Sequence, residues 1–162
     1  MQYTAELDAG RLHLGKRPCK IVPVRDPSNL AHLTCALHEA EHEDVDLIVP
    51  TIKVERGLAA NGERPHFTAE EQGIFSAVVN LAEHHGKTVI PLVVTSNDPM
   101  FAIARTAQEL GAREVILGRS GTYPPDFQAE SFAMRWGAVE PDDTYEMVVR
   151  VVAANEEHRF AI

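Results

Sequence analysis

His38-Glu39-Ala40-Glu41-His42 satisfies two metallohydrolase patterns at once, H-E-x-x-H and H-x-x-E-H. Each pattern places zinc on two histidines one helical turn apart, with a glutamate activating water. Where those side chains point depends on the helix that carries them. Residues 29–43 have a helical pattern, with Leu30, Leu33, Leu37 and Ala40 on one stripe. With Leu30 at zero and about 100° per residue, that stripe centres near about 320°, whereas His38 and His42 fall near about 80° and about 120°. The two histidines therefore face away from the core. A catalytic zinc also needs a third protein ligand and a cleft, and the helix stops at Asp44-Val45-Asp46 with no later motif to supply one. The pentapeptide reads as a solvated helix face, and no metal site is expected.

The remaining reactive side chains are equally isolated. His84-His85 falls at a helix C-terminus, where partial positive charge complements the macrodipole. Cys35 sits mid-helix with no acid or base implied beside it. The chain contains no G-x-S-x-G, no G-x-x-x-x-G-K-[ST] and no G-x-G-x-x-G, so no catalytic residue is expected and an enzyme is not. Two cysteines in 162 residues exclude a disulfide framework and suit a reducing cytoplasm. A net charge of −9 argues against a nucleic-acid binder, but leaves room for a small anion held locally by helix N-termini and arginines.

These residues need elements to hold them. Lys20-Ile21-Val22-Pro23-Val24 reads as a buried strand running into the turn Arg25-Asp26-Pro27-Ser28. A second strand is expected over residues 46–54 and a glycine-bearing loop over 55–66. Thr68-Ala69-Glu70-Glu71 is a capping box opening a helix with Ile74, Phe75, Val78, Val79 and Ala82 inward. A third strand over 88–95 leads to Asp98-Pro99, an N-cap followed by a proline at the first helical position. The next helix runs over 101–110, a fourth strand over 114–117 ends in Gly118-Arg119-Ser120-Gly121, and Pro124-Pro125 opens a helix reaching Trp136, a core anchor. Two strands around Asn155-Glu156-Glu157 close the chain. Strands alternating with amphipathic helices imply a parallel sheet covered on both faces. Ligands of such sheets bind beyond the carboxyl ends of strands, where strand order reverses. The first 19 residues lack a signal-peptide apolar stretch and read as an extension to one domain over 20–162.

KIVPVRDPSNLAHLTCAL, VVTSNDPMFAIARTAQELGAREVILGRSG and the helix–strand order linking them resemble the universal stress protein family. More narrowly, VPVRDP, SNDPMFAIARTAQELGAREVILG and the helix ending in Trp136 are similar to the C-terminal cytoplasmic domain of amino acid permeases of the amino acid–polyamine–organocation superfamily. The resemblance implies a three-layer α/β fold with a mostly parallel five-stranded sheet in the order 3-2-1-4-5, here with an added antiparallel terminal strand. It implies a homodimer, a cytoplasmic location, and a transporter domain tethered to the chain. Its ligand would be ATP, AMP or a cyclic dinucleotide.

Members that bind ATP carry Gly-x-x-Gly, nine residues, then Gly-Ser/Thr, a backbone cradle for phosphates. Gly118-Arg119-Ser120-Gly121 matches the first half, but the second half falls on Ser131-Phe132. Pro124-Pro125 removes two amide donors from the connecting loop, and Arg25, beside Asp26, stands where the family often has aspartate. The implied ligand-binding set is Pro23, Arg25, Asp26, Ile52, Ser96, Asn97, Gly118, Arg119, Ser120, Gly121 and Ser131, with Arg25 and Arg119 converging on a phosphate. The expected role is a non-catalytic regulatory domain adjusting a transporter or partner. The alternative is a ligand-free dimerisation or docking module of the same fold.

Overall fold

In the computed structural model, residues 2–3, 18–54, 69–139 and 146–162 are described. The elements are β1 (Gln2–Tyr3), β2 (Cys19–Ile21), α1 (Ala31–Ala40), β3 (Asp46–Val54), α2 (Ala69–His84), β4 (Val89–Ser96), α3 (Pro99–Glu109), β5 (Glu114–Gly118), α4 (Pro125–Ala138), β6 (Val148–Ala153) and β7 (Glu156–Ala161). The 55–66 loop, the Thr68 cap and most of the 1–19 extension lie outside the described residues.

The strands form one sheet in the order β1-β4-β3-β2-β5-β6-β7. Counted from β2 this is 3-2-1-4-5-6, the expected 3-2-1-4-5 order with an added antiparallel terminal strand: β7 runs back along β6 from Val148 opposite Ala161 to Ala153 opposite Glu156. The two-residue turn between them, at Ala154 and Asn155, is one residue earlier than the sequence placed it. Sequence patterning missed β1, which adds a short parallel edge beside β4, Gln2 opposite Leu92.

Two cores explain the layers. Ile21, Leu92, Ala104, Val115, Phe132, Trp136 and Val149 pack under α3 and α4 on one face. Val22, Leu33, Leu37, Leu47, Ile74, Val78 and Ile116 pack under α1 and α2 on the other. Strands buried on both faces read as continuous apolar runs, which is why 46–54 was located to the residue. On α2, Ile74, Val78 and Ala82 turn inward as expected. Val79, expected inward, is 39% exposed, because its position lies about 100° beyond Val78 around the helix and clears the sheet. Trp136 is a buried core residue stacked at 6.0 Å on Phe132.

The sheet splits in one place that matters for ligands. The chain builds outward from β2 through β3 to β4, then returns to β5 on the other flank of β2. Toward β5, register pairing is confined to Ile21 opposite Val115. Toward β3 it continues past the strand, through Val22 N–H to Ile48 O at 2.8 Å and Val24 N–H to Pro50 O at 3.1 Å. The carboxyl ends of β2 and β5 therefore flank the strand-order reversal.

Candidate functional site

The loop after β2 supplies Pro23, Arg25 and Asp26. Asp26 Oδ1 accepts from Ser28 N–H at 2.8 Å and Ser28 Oγ at 2.7 Å, a local turn in which the Ser28 amide, then its hydroxyl, hold the carboxyl below its ordinary range. Arg25 is exposed, and among the described residues no hydrogen bond or ion pair fixes its guanidinium. The Pro23 carbonyl accepts from His32 Nε2 at 2.6 Å.

The loop after β5 is held more tightly. Arg119 N–H donates to Val152 O at 3.0 Å. Its guanidinium donates from Nε to Glu156 Oε1 at 2.8 Å, and from one amino group to Ser120 O at 3.0 Å and Tyr123 O at 2.5 Å. Ser120 N–H donates to Gln128 Oε1 at 3.0 Å, and Gln128 Nε2 returns a bond to Gly118 O at 3.0 Å. Ser120 Oγ accepts from Thr122 N–H and Tyr123 N–H at 3.0 and 3.1 Å. Within the half-cradle the Arg119 and Ser120 amides are thus already satisfied by Val152 and Gln128, and in the loop that follows the Thr122 and Tyr123 amides are satisfied by Ser120. Asn29 Nδ2 crosses from the first loop to Arg119 O at 3.5 Å, so the β2 and β5 loops do meet. The Arg25 and Arg119 guanidiniums are placed differently, one open to solvent and the other turned onto β7.

Most of the other expected residues are engaged in local structure of their own. Ser96 Oγ donates to Asp98 O and accepts Asp98 N–H, both at 3.1 Å, and Asn97 is exposed. Asp98 caps α3 as expected, its Oδ1 accepting Phe101 N–H at 3.1 Å. Ser131 Oγ accepts from Arg135 at 3.1 Å, and Arg135 pairs with Asp98 at 3.5 Å, so Ser131 belongs to the α3–α4 contact. Ile52 packs on the α3–α4 core. Gly121 is exposed, and a Cβ there would meet nothing within 4 Å.

Gly118 is different, and it exposes a residue that patterning missed. A Cβ at Gly118 would lie 2.9 Å from His32 Nδ1, 3.0 Å from His32 Cε1 and 3.3 Å from Asn29 Nδ2. His32 is 2% exposed and its Nδ1 is buried without a hydrogen-bond partner. Its ring bridges the split, bonded to Pro23 on the β2 side and pressed on Gly118 on the β5 side. Burial pushes the imidazole below its usual range, partly offset by the Pro23 carbonyl. Around the split, α1 and α4 begin at Leu30 and Pro124 with no side-chain cap, whereas α3, which starts elsewhere, is capped by Asp98.

His38 is exposed on α1, as the helical wheel required, and His42 is exposed in the turn beyond the end of α1; among the described residues no cluster of three or more candidate ligands could hold a metal. Burial pushes the Cys19 thiol up to about 11 and also raises that of Cys35, so neither is a ready thiolate. His85 Nδ1 meets Glu41 Oε1 at 3.0 Å, joining α2 to the end of α1. No helix among the described residues is long and apolar enough to cross a membrane.

No protein-family model matches the chain, and no curated protein matches it. Solved structures do. A universal stress protein in complex with cAMP aligns with TM-score 0.56 at 19% identity, over 86% of this chain and 98% of that one. The universal stress protein from Archaeoglobus fulgidus aligns with TM-score 0.56 at 16% identity, over 76% and 92%. A universal stress family protein from Burkholderia pseudomallei gives TM-score 0.56 at 16% identity, over 85% and 97%. At these identities the likeness concerns the fold: this chain has the universal stress protein architecture.

Proposed function

We propose that this chain is a non-catalytic regulatory domain that binds an adenine nucleotide or cyclic dinucleotide at the carboxyl edge between β2 and β5. The observation that carries this reading is the pair of helices opening onto the split, α1 and α4, whose first turns carry no side-chain cap. Uncapped first-turn amides with the positive end of the dipole suit a phosphate. The unengaged Arg25 supplies the countercharge, and the cAMP held by a protein of the same fold supports the ligand class. The amides committed to Gln128 and Ser120, with the two prolines that follow, favour a single phosphate group over a triphosphate. AMP and cyclic nucleotides therefore rank above ATP.

Signalling would run through Arg119. A phosphate competing for its guanidinium releases Glu156 on β7, so occupancy shifts the balance between two arrangements of the terminal hairpin. The receiver would be a second copy of the chain or a tethered amino acid transporter. The test is calorimetric titration with AMP, cAMP, cyclic di-AMP and ATP. Binding of the monophosphate and cyclic ligands, weakened about tenfold or more by Arg25→Ala (~1.4 kcal/mol), is expected; flat titrations for all four overturn the reading.

The internal satisfaction of the β5 loop specifically favours a second reading, a ligand-free docking module. Arg25→Ala combined with Arg119→Ala separates the two. A binding domain loses its ligand, whereas a docking domain keeps its assembly state by sedimentation and never showed a ligand.

A further inference from the structure

His32 is a buried titratable group with no part in the binding proposed above. Its Nε2 is committed to the Pro23 carbonyl at 2.6 Å, which fixes the neutral tautomer with an acceptor lone pair on Nδ1. That lone pair faces the Gly118 side of the split and has no partner. Buried polar atoms are normally satisfied, and an orphan of this kind calls for an explanation. The position is equally unusual, for the ring lies in the first turn of a helix with no side-chain cap, at the strand-order reversal.

We infer that His32 is the proton-taking residue of this site: an anionic ligand seated at the first turn of α1 converts the ring to an imidazolium that donates from Nδ1 to a ligand oxygen. The inference rests on the ligand-binding reading above. Without ligand the neutral ring closes the split, and protonation would leave a buried N–H with nothing to accept it. With a phosphate oxygen present, the same proton gains an acceptor and its charge a counterion. One proton moves from solvent to Nδ1, and no covalent bond on the ligand changes. The charged groups on neighbouring elements are Arg25 and Asp26 in the β2 loop, Arg119 in the β5 loop, and Glu39 two turns further along α1. Asp26 is turned onto Ser28, Arg119 onto Glu156 and Glu39 onto Arg150, so in the closed state burial and the Pro23 carbonyl govern the ring. A ligand anion becomes its first counterion.

The probes are cAMP and cyclic di-AMP, whose phosphodiesters keep a constant charge near neutral pH. Calorimetry in two buffers of different ionisation enthalpy should show uptake of up to one proton per phosphodiester engaged. Affinity should rise as pH falls from 8 to 6, with a limiting slope of about tenfold per pH unit. His32→Gln retains a donor for Pro23 but cannot titrate; it should bind with a flat pH profile. On the unaltered protein, imidazole nitrogen shifts should report the Nε2–H tautomer without ligand and the doubly protonated ring with it, whether or not the variant folds. Binding with no proton uptake and an unchanged tautomer overturns this inference and leaves the site reading intact. No binding at any pH overturns both.

Discussion

A methyl group at Gly118 would meet the His32 ring at 2.9 Å, closer than side-chain atoms pack. The glycine requirement here comes from an imidazole, although Gly118-x-x-Gly121 looks in sequence like a phosphate cradle. Gly118→Ala should therefore destabilise the fold by about 1–3 kcal/mol, the usual cost of overpacking. Adding His32→Ala should recover part of that cost, since residues in contact are not additive. Urea denaturation of the two single variants and the double settles it, and strictly additive losses would show that the ring is not what the methyl strikes. His32 also shapes the acid response. Its folded-state pKa is lowered, so below about pH 6.5 the unfolded chain binds the extra proton first. The stability it contributes is complete above that pH and drains away as pH falls toward the folded value. His32→Gln should flatten this part of the stability profile, read as the urea midpoint between pH 7 and 5. Why sequence reading passed over His32 is geometric. The apolar stripe on α1 was centred on its leucines, but a helix lying on a sheet buries a wider arc, and His32 and Ala36 occupy the far side of it. Gln128 escaped for a different reason, because bonding the Ser120 amide depends on where α4 lands after Pro124-Pro125, which no local spacing encodes.

Valines dominate β6, yet at its centre stands Arg150, 1% exposed. Alternation along the strand turns it toward α1, away from the face lined by Val149 and Val151. Four elements share the charge. Glu39 of α1 approaches at 2.8 Å, Glu114 of β5 at 3.3 Å and Glu157 of β7 at 2.6 Å, while Lys20 of β2 pairs with Glu114 at 2.9 Å. These carboxylates keep the guanidinium charged despite its burial. Replacing it with methionine would preserve bulk but strand the carboxylates, and breaking a buried pair of this kind costs about 3–5 kcal/mol. Arg150→Met should lower the urea midpoint accordingly, and a loss under about 1 kcal/mol would mean that solvent already screens the cluster. Asp98 makes a smaller, separable contribution. Asp98→Ala removes the α3 cap and should cost about 0.5–2 kcal/mol by the same measurement. The contrast marks what elements disclose in sequence. Asp98-Pro99 is local chemistry and was readable, whereas Arg150 becomes intelligible only once three other elements deliver their glutamates.

Across the whole molecule, the antiparallel β7 closes one flank of the sheet and is tied down at two places. Glu157 reaches Arg150 beneath α1, and Glu156 reaches Arg119 in the loop at the split. Strand order was legible through likeness to a known fold, since alternating helices and strands alone fix a parallel sheet without its sequence of neighbours. The ties of β7 were not, because Glu156 and Glu157 look like turn residues and their partners lie 37 and 7 positions away. Their consequence is a route from ligand to edge. Glu156 is 41% exposed in its pairing with Arg119, and solvent screening leaves such surface pairs weak. A phosphate offering two oxygens to the same guanidinium competes effectively against it. Occupancy should then loosen Glu156 while Glu157 keeps the strand in register. Hydrogen exchange at residues 156–161 should rise when cAMP or cyclic di-AMP saturates the protein, while 148–152 stay protected. Glu156→Gln, by freeing Arg119 in advance, should tighten binding several-fold and remove the ligand's effect on exchange. Unchanged exchange together with unchanged affinity would mean that Arg119 serves only to fasten its own loop, and that the edge strand is deaf to the crevice.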